Sequence, residues 1–86
     1  MTHPIKAAIT VGDPNWTPLE LVLPACELEN FIYMGRVEEI ELYKQWLTRR
    51  YLNISADAQR FYRYCDGTYV EVIKAVALEH VCNRDH

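Results

Sequence analysis

Apolar and polar residues alternate from early in the chain. Ile5, Ala7, Ile9 and Val11 fall on one side of the pattern and Lys6, Ala8 and Thr10 on the other. That is the period of a half-buried strand over 5–11. Gly12-Asp13-Pro14-Asn15 then predicts a turn. Thr17-Pro18-Leu19-Glu20 carries the marks of a helix start: a residue able to cap, a proline for the first helical position and a glutamate that completes a capping box. Pro24 has no N–H to continue the ladder and ends that helix within two turns. The region 18–29 therefore reads as short helical elements, the second over 24–29.

The middle of the chain reads as sheet. In Cys65-Asp66-Gly67-Thr68 the Asp-Gly pair suits a two-residue type I′ turn, where both central positions need φ > 0. Phe61-Tyr62-Arg63-Tyr64 before it and Tyr69-Val70-Glu71-Val72-Ile73 after it are rich in β-branched and aromatic residues. Upstream, Arg50, Leu52 and Ile54 alternate with Arg49, Tyr51 and Asn53, and Ser55-Ala56-Asp57-Ala58 supplies a connection. Strands over 48–54, 60–65 and 68–73 thus form a meander. Phe31-Ile32-Tyr33-Met34 and Ile40-Glu41-Leu42-Tyr43 add two more strands.

One competing pattern runs through this region. Val37, Ile40, Lys44, Leu47 and Tyr51 also fall at helical spacing, and 36–51 holds no proline. Glu38, Glu39 and Glu41 at one end and Arg49 and Arg50 at the other would suit a helix macrodipole. The strand reading is preferred for 37–47. After the meander, Ile73, Val76, Ala77 and Val81 share one helical face, which predicts a C-terminal helix over 74–82. The expected fold is α+β in a single domain, residues 1–86: a small, mostly antiparallel sheet with its meander over about 31–73, short N-terminal helical elements and a C-terminal helix.

Composition narrows the class. With 50% hydrophobic and 24% charged residues the chain is globular rather than disordered. A chain of 86 residues buries only about 60–65% of its unfolded surface, so self-association would add stability. No apolar run approaches the roughly 18 residues that span a bilayer, which predicts no membrane partner. The N-terminal residues lack the basic start and apolar block of a signal peptide. Cys26, Cys65 and Cys82 are odd in number and share no spacing pattern, which predicts reduced thiols in a cytoplasmic protein.

Charge is distributed in blocks. Through residue 43, Lys6 and Arg36 stand against seven carboxylates, a balance of −5. Over 44–63, Lys44, Arg49, Arg50, Arg60 and Arg63 stand against Asp57 alone, a balance of +4. The remainder balances at −2, for a net −3.

The basic block is also aromatic. Sheets that bind single-stranded nucleic acid combine phosphate-neutralising cations with rings on which bases stack. The candidate binding residues are Arg49, Arg50, Tyr51, Arg60, Tyr62, Arg63 and Tyr64. In a meander, Arg49 and Tyr51 are expected to share an outer face with Arg60, Tyr62 and Tyr64. An ordinary solvated sheet face, with tyrosine and arginine paired across strands, accounts for the same residues. The net negative charge also runs against nucleic-acid binding.

Other chemistry finds little material. His80, Cys82, Asp85 and His86 match no zinc spacing, which predicts no metal site. Cys65 with His3 or His80 forms no recognisable nucleophile–base pattern, and Cys65 reads as a small buried residue beside a turn. Glycine stands only at Gly12, Gly35 and Gly67, too sparse for a phosphate loop. These features predict a protein that is not an enzyme and carries no cofactor. Trp16, Trp46, Tyr33, Tyr43 and Tyr51 are candidate interface residues, with Trp46 expected in the core and Trp16 in a loop. The leading expectation is a small non-catalytic interaction or regulatory module that binds a protein partner or self-associates as a homo-oligomer. The alternative is single-stranded nucleic-acid binding through 44–64.

Overall fold

The computed structural model describes Ile5–Lys6 as backbone and residues 12–82 in full. The rest of the strand expected over 5–11, and the His/Cys/Asp tail beyond Cys82, lie outside the described residues.

The elements follow in the order β1 (Ile5–Lys6), α1 (Thr17–Val22), α2 (Ala25–Leu28), β2 (Phe31–Val37), β3 (Ile40–Gln45), β4 (Arg50–Ser55), β5 (Phe61–Cys65), β6 (Thr68–Val72) and α3 (Lys74–Cys82). Strands β2 to β6 form an antiparallel meander, and β1 adds to the free edge of β6, giving the order β1-β6-β5-β4-β3-β2. The fold is α+β, as the alternation and turn chemistry indicate. At the β5–β6 turn, Asp66 and Gly67 take φ of 50° and 82°, the left-handed pair that a type I′ turn requires. Gly35, with φ 113°, accommodates a bulge where β2 slips register against β3.

The helical reading of 36–51 is overturned, because β2 and β3 join through a tight turn at Glu38-Glu39 and pair from Phe31↔Gln45 to Val37↔Ile40. Its plausibility has a physical origin. β3 is buried on both faces, so Ile40, Glu41, Leu42 and Tyr43 are all inaccessible and the usual alternation is lost.

Residues paired across antiparallel strands share a face. Tyr43 pairs with Leu52, and Ile54 with Phe61. These four, with Phe31, form the main core against Leu19 of α1 and Ala77 and Val81 of α3. Each buried Leu, Ile, Val or Phe among them contributes about 1.5–3 kcal/mol by burial. The other face carries a second cluster of Val37, Ile40, Leu42 and Tyr69, with Met34, Tyr51 and Tyr62 packed on it.

A buried carboxylate ties the segment before α1 to the sheet. Glu41 accepts from the Tyr33 hydroxyl at 2.6 Å, from Arg36 Nε at 3.0 Å and from Asn15 Nδ2 at 3.3 Å. The Tyr43 hydroxyl donates to the Asn15 carbonyl. Trp16 stacks obliquely on Tyr33 and Tyr43, with ring centroids 6.1 and 5.6 Å away.

Local details differ from expectation. α1 begins at Thr17 rather than after it, and Asn15 Oδ1, not a Thr17 cap, accepts from the Thr17 N–H at 3.3 Å. Pro24 does end α1 and precedes α2. Trp46 is 51% exposed, because the β3–β4 turn carries it outward, whereas Trp16 packs into the aromatic cluster. Cys65 is exposed, not buried, since it flanks a turn that projects from the sheet. The packed face of α3 is Ala77, Leu78 and Val81, while Ile73 lies ahead of the helix and is 68% exposed. Among the described residues, no helix is long and apolar enough to cross a membrane.

Candidate functional site

Strands β4 and β5 pair only at Asn53↔Tyr62 and Ile54↔Phe61. Beyond that rung the two strands are no longer matched, although β4 runs back to Arg50 and β5 on to Cys65. The divergence opens a cavity of about 550 Å³, closed on one side by α3. That volume lies in the range of small-molecule sites.

The register decides what lines it. Tyr51, Asn53, Tyr62, Tyr64 and Tyr69 project from the sheet face opposite the helices, as their pairings Asn53↔Tyr62 and Tyr64↔Tyr69 require. Arg50 and Arg63 project from the helix-covered face, at the alternate positions. Arg49, in the turn before β4, joins them at the rim with φ 63°. Val72, Val76, Ala77 and His80 complete the wall. The cavity thus joins an aromatic side to a basic side through the gap between two strands. Among the described residues that line it, none is acidic.

Several contacts fix this geometry. The last carbonyls of a helix have no partner within it and draw cations. Here Thr48 Oγ1 donates to the Val81 carbonyl at 2.8 Å and Arg50 Nη1 to the His80 carbonyl at 3.0 Å, locking the start of β4 against the end of α3. The Gln45 side chain accepts from the N–H groups of Leu47 and Thr48 at 2.7 and 2.8 Å and shapes the turn that presents Arg49. The Tyr64 and Tyr69 rings meet edge to face at 5.2 Å. Lys44 Nζ lies 6.0 Å from the Tyr51 ring centroid, reinforcing positive charge beside the aromatic side.

The local field is positive. Burial first, then the Arg50 and Arg63 guanidinium groups, hold the His80 imidazole below its ordinary pKa. Burial raises the Tyr69 phenol, with Tyr64 and Tyr51 adding to it, so it stays neutral. Asn53 is 2% exposed. Its Nδ2 donates to the Tyr62 carbonyl at 3.3 Å, while its Oδ1 has no hydrogen-bond partner.

Of the seven binding candidates read from sequence, six line this cavity: Arg49, Arg50, Tyr51, Tyr62, Arg63 and Tyr64. Arg60 does not join them. It lies in the β4–β5 connection, where its N–H donates to Ser55 Oγ and its carbonyl accepts from the Ser55 N–H, both at 2.9 Å. That is the closed end of the strand pair, and the cavity is at the open end. The tyrosines share a face as expected, but Arg50 and Arg63 occupy the other. Asn53, Tyr69 and His80 were not among the candidates. Tyr69 was within reach, because a two-residue turn at 66–67 places it across from Tyr64. His80 arrives only through the docking of α3. Among the described residues, no group of three or more His, Cys, Asp or Glu is placed to hold a metal ion.

No protein-family model matches the chain, and no curated protein or solved structure matches it significantly.

Proposed function

We propose that this protein is a non-catalytic binding module that holds single-stranded nucleic acid in the cleft between β4, β5 and α3. The carrying observation is the composition of that cleft: three arginines and four tyrosines, with no acidic residue among the described lining. Arg49 and Arg63 neutralise phosphate, and the tyrosine rings offer apolar faces on which a base stacks, worth about 1–3 kcal/mol per base. The net charge of −3 does not oppose this at short range. Exposed charges more than about 8–10 Å away are largely screened at physiological salt, whereas the cleft arginines act at contact.

The test is fluorescence anisotropy of labelled ten-nucleotide RNA and DNA strands titrated with the protein at low and near-physiological salt. Micromolar or tighter binding is expected, with log K falling by about 0.7 per phosphate neutralised per decade of salt. Arg49→Ala with Arg63→Ala should remove most of it. Absence of binding at low salt, where electrostatics are strongest, would sink the reading.

A second reading, a protein partner or a second copy of the chain, is favoured by Leu21 and Ile73. Both are 68% exposed and both line one shallow groove between α1 and the start of α3. Large exposed apolar side chains that share a groove suit association. Light scattering on the native chain and on Leu21→Ser with Ile73→Ser tests it. A monomer in both, with no complex at high concentration, would remove self-association.

A further inference from the structure

Buried side-chain carbonyls almost always find a donor, and leaving one without costs stability. Among the described residues, Asn53 Oδ1 is the buried side-chain polar atom with no hydrogen-bond partner. Its orientation is fixed. Exchanging the amide oxygen and nitrogen would set an oxygen against the Tyr62 carbonyl that Nδ2 now contacts at 3.3 Å. Nor is its position arbitrary. Asn53 and Tyr62 form the last matched rung of β4 and β5, so Asn53 stands at the vertex where the strands part and lines the cavity that opens there.

The cleft therefore combines three demands. Asn53, whose Oδ1 is an acceptor without a donor, lines the cavity at the vertex. Tyr51, Tyr62, Tyr64 and Tyr69 line it too, as do Arg49 and Arg63, with no acidic neighbour in the described wall. A ligand that meets all three has a hydrogen-bond donor, a flat ring and an anion. A nucleotide with an exocyclic amine on its base carries all three.

We propose that Asn53 is the base-selecting residue of this cleft, which seats one nucleotide of adenine, cytosine or guanine with the exocyclic amine donating to Asn53 Oδ1 and the phosphate held by Arg49 and Arg63. This rests on the nucleic-acid reading above and adds to it a choice of base. The same chemistry is available from a free nucleoside monophosphate or from one nucleotide within a strand.

The experiment compares ligands that differ by the amine alone, on the native 86-residue chain. In one arm, adenosine 5′-monophosphate and purine riboside 5′-monophosphate are titrated by calorimetry. In the other, labelled ten-nucleotide strands of adenosine or of purine riboside are titrated by anisotropy. The amine-bearing ligand should bind at least tenfold more tightly in one arm or both, since a site with a polar group to satisfy rejects the analogue that leaves it unpaired. The arm that shows the preference identifies the source. Asn53→Leu should erase the preference while leaving salt-dependent binding in place. Equal affinity for both ligands in both arms overturns the role of Asn53. If binding is then still lost on Arg49→Ala with Arg63→Ala, the nucleic-acid reading survives without it. If nothing binds in either arm, both fail together. The ligand comparison needs no variant, so a poorly folding Asn53 substitution does not blunt it.

Discussion

Asn53 donates from Nδ2 to the Tyr62 carbonyl at 3.3 Å, across the rung at which β4 and β5 cease to pair. The same side chain leaves its oxygen unsatisfied. A buried polar atom without a partner costs about 1–3 kcal/mol, and one neutral hydrogen bond returns about 1 kcal/mol. Asn53→Leu removes both the bond and the orphan, with a side chain of similar size. Its unfolding free energy in urea should stay within about 1 kcal/mol of the native value. A loss well beyond 2 kcal/mol would mean that the amide is a structural anchor.

Arg49 occupies left-handed backbone with φ 63°. For a residue with a Cβ this conformation costs about 1–2 kcal/mol, part of which glycine recovers at the expense of its own chain entropy. Arg49→Gly should therefore match or exceed native stability, by up to about 1 kcal/mol, while weakening strand binding and lowering the salt slope by about 0.7. Thermal melts and anisotropy titrations on one preparation read both effects.

Tyr33 donates its hydroxyl to the buried Glu41 carboxylate at 2.6 Å. Burial and that carboxylate raise its pKa from 10.0 to about 12. Burial, followed by the charge of Glu41, raises Tyr43 as well. A raised phenol pKa makes its stability contribution complete below pH 10 and progressively lost as pH climbs through the folded-state value. Alkaline unfolding should therefore begin above pH 10 in native protein. Tyr33→Phe should lose about 1.5–3 kcal/mol at neutral pH, the range for a bond to a charged group. It should also show a shallower decline between pH 10 and 12. Circular dichroism across that range measures both.

His80 responds at the opposite end of the scale. Its folded-state pKa lies below 6.5 through burial and the charges of Arg50 and Arg63. The unfolded chain then takes up the proton first as pH falls. Stability is complete above pH 6.5 and declines as pH drops through the folded value, and His80→Gln should flatten that decline. Asp57, held below 3.8 mainly by the Ser55 hydroxyl, adds a further loss only at lower pH. A phosphate held by Arg49 and Arg63 would offset the charge of Arg63 at His80, so the imidazole proton shifts of His80 should titrate at higher pH when ligand is present.

The meander was legible because its signals are local. Asp66-Gly67 permits few turns other than type I′, and the aromatic and β-branched residues on either side suit only a strand. Pro24 divided α1 from α2 for an equally local reason. The chain at 37–47 was harder to read, since β3 is covered on both faces and periodicity then carries no information. Trp46, expected in the core, is exposed, and Trp16, in its expected loop, packs onto the aromatic cluster, because burial of a large ring depends on what packs over it. Trp16 packs on Tyr33 and Tyr43, and Asn15 beside it is tied to Glu41 and Tyr43, all residues distant in sequence.

The cleft divides along the same line. Composition alone marked Arg49, Arg50, Tyr51, Arg60, Tyr62, Arg63 and Tyr64 as one chemical group, since residues that alternate on two neighbouring strands must lie close together. Tertiary structure decided the rest. It parted β4 from β5 beyond Asn53–Tyr62, excluded Arg60 by placing it at the closed end, and brought His80 in by docking α3 on the core through Ala77 and Val81. Alternation and turn chemistry act between neighbours and are written in the chain. Where two strands separate, and which side chain is left without a partner there, depends on how all the elements pack at once.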